Sequence, residues 1–145
     1  MGRWEKHVIT TNISSKSLTD AQREGEKGRI LRMMWMDGRV LPGAMYLEAC
    51  WIAGPTPPDG GPPEHMHSED DEFLAFIGGD PEHPDDLNAE VEFFIEDERL
   101  LLTESCFVFV PKGVRHCPLR FLRVDRPVFH FSGYPGGEYS RERKA

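Results

Sequence analysis

The sequence lacks any apolar run approaching the roughly 20 residues that a membrane-spanning helix requires. It also lacks an excess of basic residues, since 17 Lys and Arg stand against 25 Asp and Glu, for a net charge of -8. Nucleic acids and anionic membranes bind basic surfaces, so the sequence predicts neither as a partner. The N-terminus is too polar for a secretory signal sequence, which predicts a cytoplasmic protein.

Cysteine is scarce as well. Cys50, Cys106 and Cys117 are odd in number, widely spaced, and include no Cys-x-x-Cys pair. This pattern is typical of reduced thiols and not of a disulfide framework, which again favours a cytosolic location.

Glycine and proline, in contrast, are plentiful, with 14 Gly and 12 Pro in 145 residues. They cluster in turns between short alternating or apolar segments, and no internal repeat of fixed period is present. Segment 106–110 is aromatic and β-branched, which predicts a buried strand. The predicted strands cover residues 30–36, 44–52, 73–77, 90–95, 99–103, 106–110, 119–124 and 128–132. An all-β protein follows, either a β-barrel or a double-sheet jelly roll.

The chain divides into three parts in this interpretation. Residues 1–29 are a polar N-terminal extension that can hold a small helix with Ser17 or Thr19 as its cap. Residues 30–134 form the barrel domain, and residues 135–145 form a loose tail. A short helix is the alternative for 44–52, but the alternation and the flanking Gly and Pro favour a strand.

Two histidines and a glutamate suggest a metal site. His65 and His67 are two residues apart, so both imidazoles leave the same face of an extended segment. Glu72 follows after a short polar turn and opens an apolar strand. Imidazoles and a carboxylate from adjoining strands suit a divalent metal ion with open positions. Asp71 is the alternative carboxylate, although the start of the strand favours Glu72.

Glu48 and His130 are the candidate acid–base residues. Glu48 is surrounded by apolar residues on segment 44–52, where it serves catalysis, faces solvent or pairs with an arginine. His130 lies on a late apolar strand, where it serves as a hydrogen-bond donor or proton shuttle near a metal site, or as a core histidine.

Two motifs of the chain together resemble the cupin superfamily. The first is His65-x-His67, four residues, Glu72, six residues and Gly79. The second is Pro111-Lys-Gly, two residues and His116, preceded by the apolar segment 106–110. Ser105 and Arg120 depart from this second motif, where Gly and Asn are usual. Both lie at structural corners, so the metal-binding positions are unaffected.

The resemblance implies a cupin-type jelly-roll barrel that binds one divalent transition metal: Fe, Mn, Ni, Co, Cu or Zn. The ligands it implies are His65, His67, Glu72 and His116. It also implies a homodimer, because an open sheet edge and the N-terminal extension need cover.

The reaction itself stays open at this point. An oxygenase-type enzyme acting on a small carboxylate or hydroxylated substrate is the first hypothesis. The alternatives are a redox-neutral isomerase, decarboxylase or lyase, and a cupin that binds a small ligand without catalysis.

Overall fold

The computed structural model describes residues 2–10 and 19–136 of the chain. A single 3-10 turn at Glu5–His7 precedes one helix, α1, at Asp20–Glu26. Eight strands follow: β1 Ile30–Met36, β2 Tyr46–Ile52, β3 Glu72–Gly78, β4 Asp86–Ile95, β5 Glu98–Glu104, β6 Cys106–Val110, β7 His116–Val124 and β8 Val128–Tyr134. No helix within the described residues is long and apolar enough to cross a membrane.

Two antiparallel sheets face each other. The larger has the strand order β1-β2-β8-β3-β6 and the smaller has the order β5-β4-β7. Phe76 and Val128 of the larger sheet pack in one core with Val91, Phe93 and Phe121 of the smaller sheet. The prediction of an all-β jelly-roll barrel is therefore confirmed.

The helix predicted in the N-terminal extension is present as α1. Thr19 is its cap, because its hydroxyl accepts from the backbone N–H of Gln22, whose side chain accepts from the backbone N–H of Thr19. This reciprocal pair is a capping box. Ser17, the other candidate cap, lies outside the described residues. The division into extension, barrel and tail stays a prediction, and tail residues 137–145 also lie outside the described part.

Segment 44–52 contains strand β2, as the alternation predicted, although the strand begins at Tyr46 and not at residue 44. Tyr46, Cys50 and Ile52 of β2 are buried on the inner face of the larger sheet, with Glu48 between them. Leu47, Ala49 and Trp51 lie on the outer face.

The prediction that segment 106–110 is a buried strand is wrong for the outer face of that strand. The strand is present as β6, but 75% of Phe107 and 63% of Phe109 is exposed. Only its inner face, which carries Val108 and Val110, packs against the core. The apolar run arises because both faces of this strand are apolar, and not because both are covered.

Two strands begin several residues earlier than their composition predicts. β4 starts at Asp86 and not at residue 90, because Leu87 and Ala89 are buried between polar neighbours. β7 starts at His116, three residues before the predicted start. This earlier start places His116 within the sheet that forms one wall of the barrel.

Candidate metal centre

The backbone brings His65 and His116 together directly. The two residues form an isolated antiparallel bridge, with the N–H of His65 donating to the carbonyl of His116 at 3.0 Å and the reciprocal bond at 2.9 Å. The ring centroids are 4.5 Å apart. Residues distant in sequence thus become neighbours because the segment before β3 pairs with the start of β7.

The turn between β6 and β7 is attached to the same segment. The backbone N–H of Gly113 donates to the carbonyl of His67 at 2.7 Å. Gly113 has a φ of +77°, a conformation that favours glycine because it has no Cβ. The turn therefore holds His116 in register with His67.

His65, His67 and His116 form a buried cluster. One ring nitrogen from each lies within 4.8 Å of the others, so the three side chains could hold a metal ion. Buried imidazoles that converge from the segment before β3 and from the start of β7 are a donor set that suits divalent transition metals.

Backbone carbonyls determine which nitrogen of two of these rings carries the proton. Nδ1 of His65 lies 2.7 Å from the carbonyl oxygen of Pro63, and Nδ1 of His116 lies 3.0 Å from that of Val114. A carbonyl oxygen only accepts, so both Nδ1 atoms donate and both Nε2 atoms keep a lone pair. Carbonyl partners of this kind orient metal-binding histidines.

Glu72 closes the cluster from the first position of β3. Its Oε1 lies 3.0 Å from Nε2 of His116, and its Oε2 lies 3.3 Å from Nε2 of His67. Burial opposes ionisation of Glu72, but His116 and His67, when each carries a proton on Nε2, outweigh burial and lower the pKa of Glu72 to about 2. An ionised carboxylate and the lone pair of an imidazole repel each other unless a proton or a metal ion lies between them. The donor set therefore fits a bound cation.

Asp71, the alternative carboxylate, lies elsewhere. It is exposed, and its Oδ1 accepts from the backbone N–H of Lys112 at 2.9 Å. Asp71 thus joins the segment before β3 to the β6–β7 turn.

A cavity of about 650 Å³ adjoins the cluster. It is open to His65 and Glu72, to inner-face residues of β1, β2 and β8, and to part of α1. The polar and ionisable side chains in its wall include Gln22, Glu26, Arg29, Arg32, Tyr46, Glu48, Thr56, His130 and Ser132. This volume is suitable for a small molecule.

Glu48 belongs to an ion-pair network in this wall. Its carboxylate pairs with Arg32 of β1 and accepts a hydrogen bond from the hydroxyl of Tyr46 at 2.6 Å. Arg32 also pairs with Glu26 of α1 at 2.7 Å. The arginine partner considered for Glu48 is thus present, within the cavity wall and not at an outer surface.

His130 lies on the inner face of β8. Its Nδ1 donates to the carbonyl of Ala75 at 2.9 Å, and its ring stacks on Phe76 at 4.6 Å. Burial lowers the pKa of His130 to about 4, which keeps the ring neutral near pH 7. Its strand partner Cys50 also lines the cavity, where burial raises the thiol pKa to about 12. The thiol is therefore protonated and unsuited to act as a nucleophile.

Comparison with known proteins identifies the fold. No family model matches the sequence, and no curated protein matches it. Among solved structures, an oxalate oxidase in complex with glycolate is 12% identical with a TM-score of 0.53, over 91% of this chain and 59% of that chain. A Klebsiella pneumoniae protein with a double-stranded β-helix domain is 14% identical with a TM-score of 0.52, over 90% and 100%. This protein has the cupin fold.

A third cupin-fold match agrees with the first two. The polyketide cyclase RemF from Streptomyces resistomycificus is 14% identical with a TM-score of 0.52, over 100% of this chain and 87% of that chain. The chain spans 59% of the length of the oxalate oxidase. Identities this low show the fold and leave the activity to be argued from the site.

Ser105, which departs from the cupin pattern, has a structural role. Its hydroxyl donates to the carbonyl of Pro84 at 2.6 Å and accepts from the backbone N–H of Gly78 at 2.8 Å. It therefore joins the end of β3 to the loop before β4, a connection that a glycine side chain does not provide.

Arg32 and Glu26 line the cavity but were not predicted from the sequence as residues of the site. Arg32 lies between apolar residues on a predicted strand, the same signal that drew attention to Glu48. Glu26 gives no comparable signal, since it lies among polar residues and reaches the cavity only because α1 lies against the barrel.

Proposed function

We propose that the protein is a metal-dependent enzyme in which His65, His67, His116 and Glu72 hold one divalent metal ion. Fe, Mn, Ni, Co, Cu and Zn all suit this donor set. The observation that carries the proposal is the buried carboxylate of Glu72 facing the Nε2 atoms of His116 and His67 at 3.0 and 3.3 Å. Such an ion would supply a Lewis acid or redox centre with open positions for substrate.

The proposed substrate is a small carboxylate or hydroxylated compound. The cavity wall offers the guanidinium of Arg32 and the hydroxyl of Tyr46 beside the histidine cluster. A guanidinium binds a carboxylate through two parallel hydrogen bonds. Arg32 would therefore orient an anionic substrate by releasing Glu26 or Glu48 and binding the substrate carboxylate in its place. The oxalate oxidase of the same fold, which forms a complex with glycolate, supports a small oxygen-rich ligand.

The proposed reaction is of the oxygenase type, in which O2 oxidises the bound substrate. His130 and Glu48 would be the proton-transfer residues. In the tautomer that donates from Nδ1 to Ala75, Nε2 of His130 is an acceptor. Because Arg32 pairs with Glu48, this carboxylate would add less negative charge to the site than an unpaired carboxylate does.

A redox-neutral reaction is the second candidate, as an isomerase, decarboxylase or lyase. It is favoured by the presence of His130 and Glu48 in the wall of the cavity that also contacts Glu72. An acid–base pair beside a metal-polarised substrate is sufficient for such chemistry without O2.

The test combines metal analysis with O2 uptake. We expect purified protein to retain about one equivalent of a divalent metal after dialysis, and the H67A/H116A variant to retain none. O2 uptake is then measured on a panel of carboxylic acids and catechols, with D71N as the matched control. Turnover that persists without O2 would support the redox-neutral reaction, and ligand binding without turnover under any metal would support a binding protein. Unchanged metal content in H67A/H116A would contradict the metal site.

We also propose a cytoplasmic homodimer. No disulfide joins the three cysteines, all of which lie in the described part of the chain. Reduced thiols are the rule in the cytosol. Fractionation of cells that express the full chain tests the location.

A further inference from the structure

The outer face of the five-stranded sheet carries only apolar residues. Directly paired residues of adjacent strands share a face, so the registers define three rows, one across four strands and two across all five. The rows, which together we name the apolar face, are Leu31, Trp51, Phe129 and Ile77; Met34, Ala49, Phe131, Ala75 and Phe107; and Met36, Leu47, Gly133, Phe73 and Phe109.

Aromatic rings form the centre of this face. The ring centroid of Phe131 lies 5.7 Å from that of Phe129, 6.0 Å from that of Phe73 and 6.4 Å from that of Phe107. The ring of Trp51 lies 5.1 Å from that of Phe129. Monomeric proteins rarely expose a continuous apolar surface of this kind, because each buried aromatic ring contributes favourably when it leaves water.

The remaining parts of the chain are poorly suited to cover the apolar face. Segment 11–18 contains two large aliphatic residues, Ile13 and Leu18, and segment 137–145 contains one aromatic residue, Tyr139. The other residues of both segments are polar, charged or small. The face extends over five strands, so a few apolar side chains cannot exclude water from it.

A second copy of the same face matches it in area and charge. Five strands about 4.8 Å apart and three rows about 7 Å apart give roughly 500 Å² on each partner. Two such faces bury on the order of 1,000 Å², the lower limit for a specific interface. Net charge is -8, so other surfaces of two copies repel each other, whereas the apolar face carries no charge.

We propose that the apolar face is the interface of a two-fold homodimer, with Phe107 and Phe109 of β6 as its principal contacts. These two rings, on the edge strand, are the most exposed of the face, and large aromatic side chains contribute a disproportionate share of the binding free energy at interfaces. This inference rests on the proposed homodimer and identifies its surface, and it is independent of the proposed metal site. It also differs from the sequence-based expectation, which attributed a dimer to an open sheet edge.

The experiment measures the mass of the full chain by analytical ultracentrifugation at micromolar concentration. We expect twice the 16.6 kDa chain mass for the natural sequence and the single-chain mass for F107E/F109E. The matched control is L101E/L122E, which alters two exposed leucines of the other sheet and should stay dimeric. Far-UV circular dichroism and metal content should be the same in all three proteins, so a failed metal site and a failed interface are distinguishable.

Three outcomes would overturn the proposal: a monomeric natural protein, a dimeric F107E/F109E, or an equally dissociated control. If F107E/F109E does not fold, the milder F107S is used, and its dimer should dissociate at least about tenfold more readily. Co-sedimentation with phosphatidylcholine vesicles tests the competing occupant, since a monomer that binds them would assign the face to lipid.

Discussion

At the scale of single residues, the candidate metal centre depends on where protons lie. The carbonyls of Pro63 and Val114 hold the protons of His65 and His116 on Nδ1, so the Nε2 lone pairs turn toward the cluster. His130 is held in the same tautomer, because its Nδ1 donates to the carbonyl of Ala75. Main-chain acceptors thus select the tautomers before any ligand binds.

Glu72→Gln should lose metal affinity, whereas Asp71→Asn should not. Only Glu72 brings a carboxylate to the histidines, while Asp71 accepts from Lys112 at the surface. Replacing a charged donor with an amide should weaken binding by about tenfold or more. Metal titration by isothermal calorimetry measures both variants, and the reverse order would show that Asp71 supplies the carboxylate.

Acidification should destabilise the metal-free protein through His130. Its folded pKa is about 4, below the usual value of about 6.5. Between these values the unfolded chain binds a proton that the folded chain does not, so stability is present above pH 6.5 and falls as pH decreases toward 4. The loss from pH 7 to pH 5 is about 2 kcal/mol.

Urea unfolding at both pH values measures this loss, and His130→Gln should reduce it while keeping a donor for Ala75. Glu72 raises the pKa of His130 and so opposes the effect of burial. The contribution of Glu72 itself to stability is lost only as pH falls from about 4.3 toward its folded pKa of about 2. An equal loss in both proteins would assign the pH dependence to other groups.

At the scale of elements, turns and loops position the site more than the strands do. The β6–β7 turn is bound to the segment before β3 through Gly113 and Asp71. At the opposite end of β3, Ser105 joins Gly78 to Pro84. Both ends of β3 are therefore fixed by contacts outside the sheet ladders.

Ser105→Ala should lower the free energy of unfolding by about 1–2 kcal/mol, because the backbone N–H of Gly78 loses its acceptor. The metal content should be unchanged, since the substitution lies at the far end of β3 from Glu72. Chemical denaturation measures the first effect, and Thr103→Ala on the exposed side of β5 is the control. A variant as stable as the natural protein would show that the loop does not depend on this hydroxyl.

At the scale of the whole molecule, metal removal should lower the melting temperature. A ligand at about 100 times its Kd stabilises the folded state by about 2.7 kcal/mol. For a chain of this size that corresponds to a shift of roughly 5–10 °C. Differential scanning calorimetry with and without a chelator measures it. H67A/H116A should show no shift, and a shift of the same size in that variant would place the metal elsewhere.

The existence of the strands, the barrel fold and the grouping of His65, His67 and Glu72 could be predicted from local sequence. Short apolar segments between Gly- and Pro-rich turns predict strands locally, and the spacing of the two motifs indicates the cupin fold. Alternation also placed Tyr46, Glu48, Cys50 and Ile52 on one face. These properties depend on residues close together in sequence, so they can be predicted without the tertiary structure.

The charges around the cavity and the exposure of the outer face depend on tertiary contacts and could not be predicted from local sequence. Arg32 meets Glu26 and Glu48 because α1 lies against the barrel wall, a contact between elements far apart in sequence. Phe107 and Phe109 look like core residues in an apolar run, but no layer of the described chain covers their side of the sheet. Periodicity reports which residues share a face, whereas the arrangement of the sheets determines whether that face is buried.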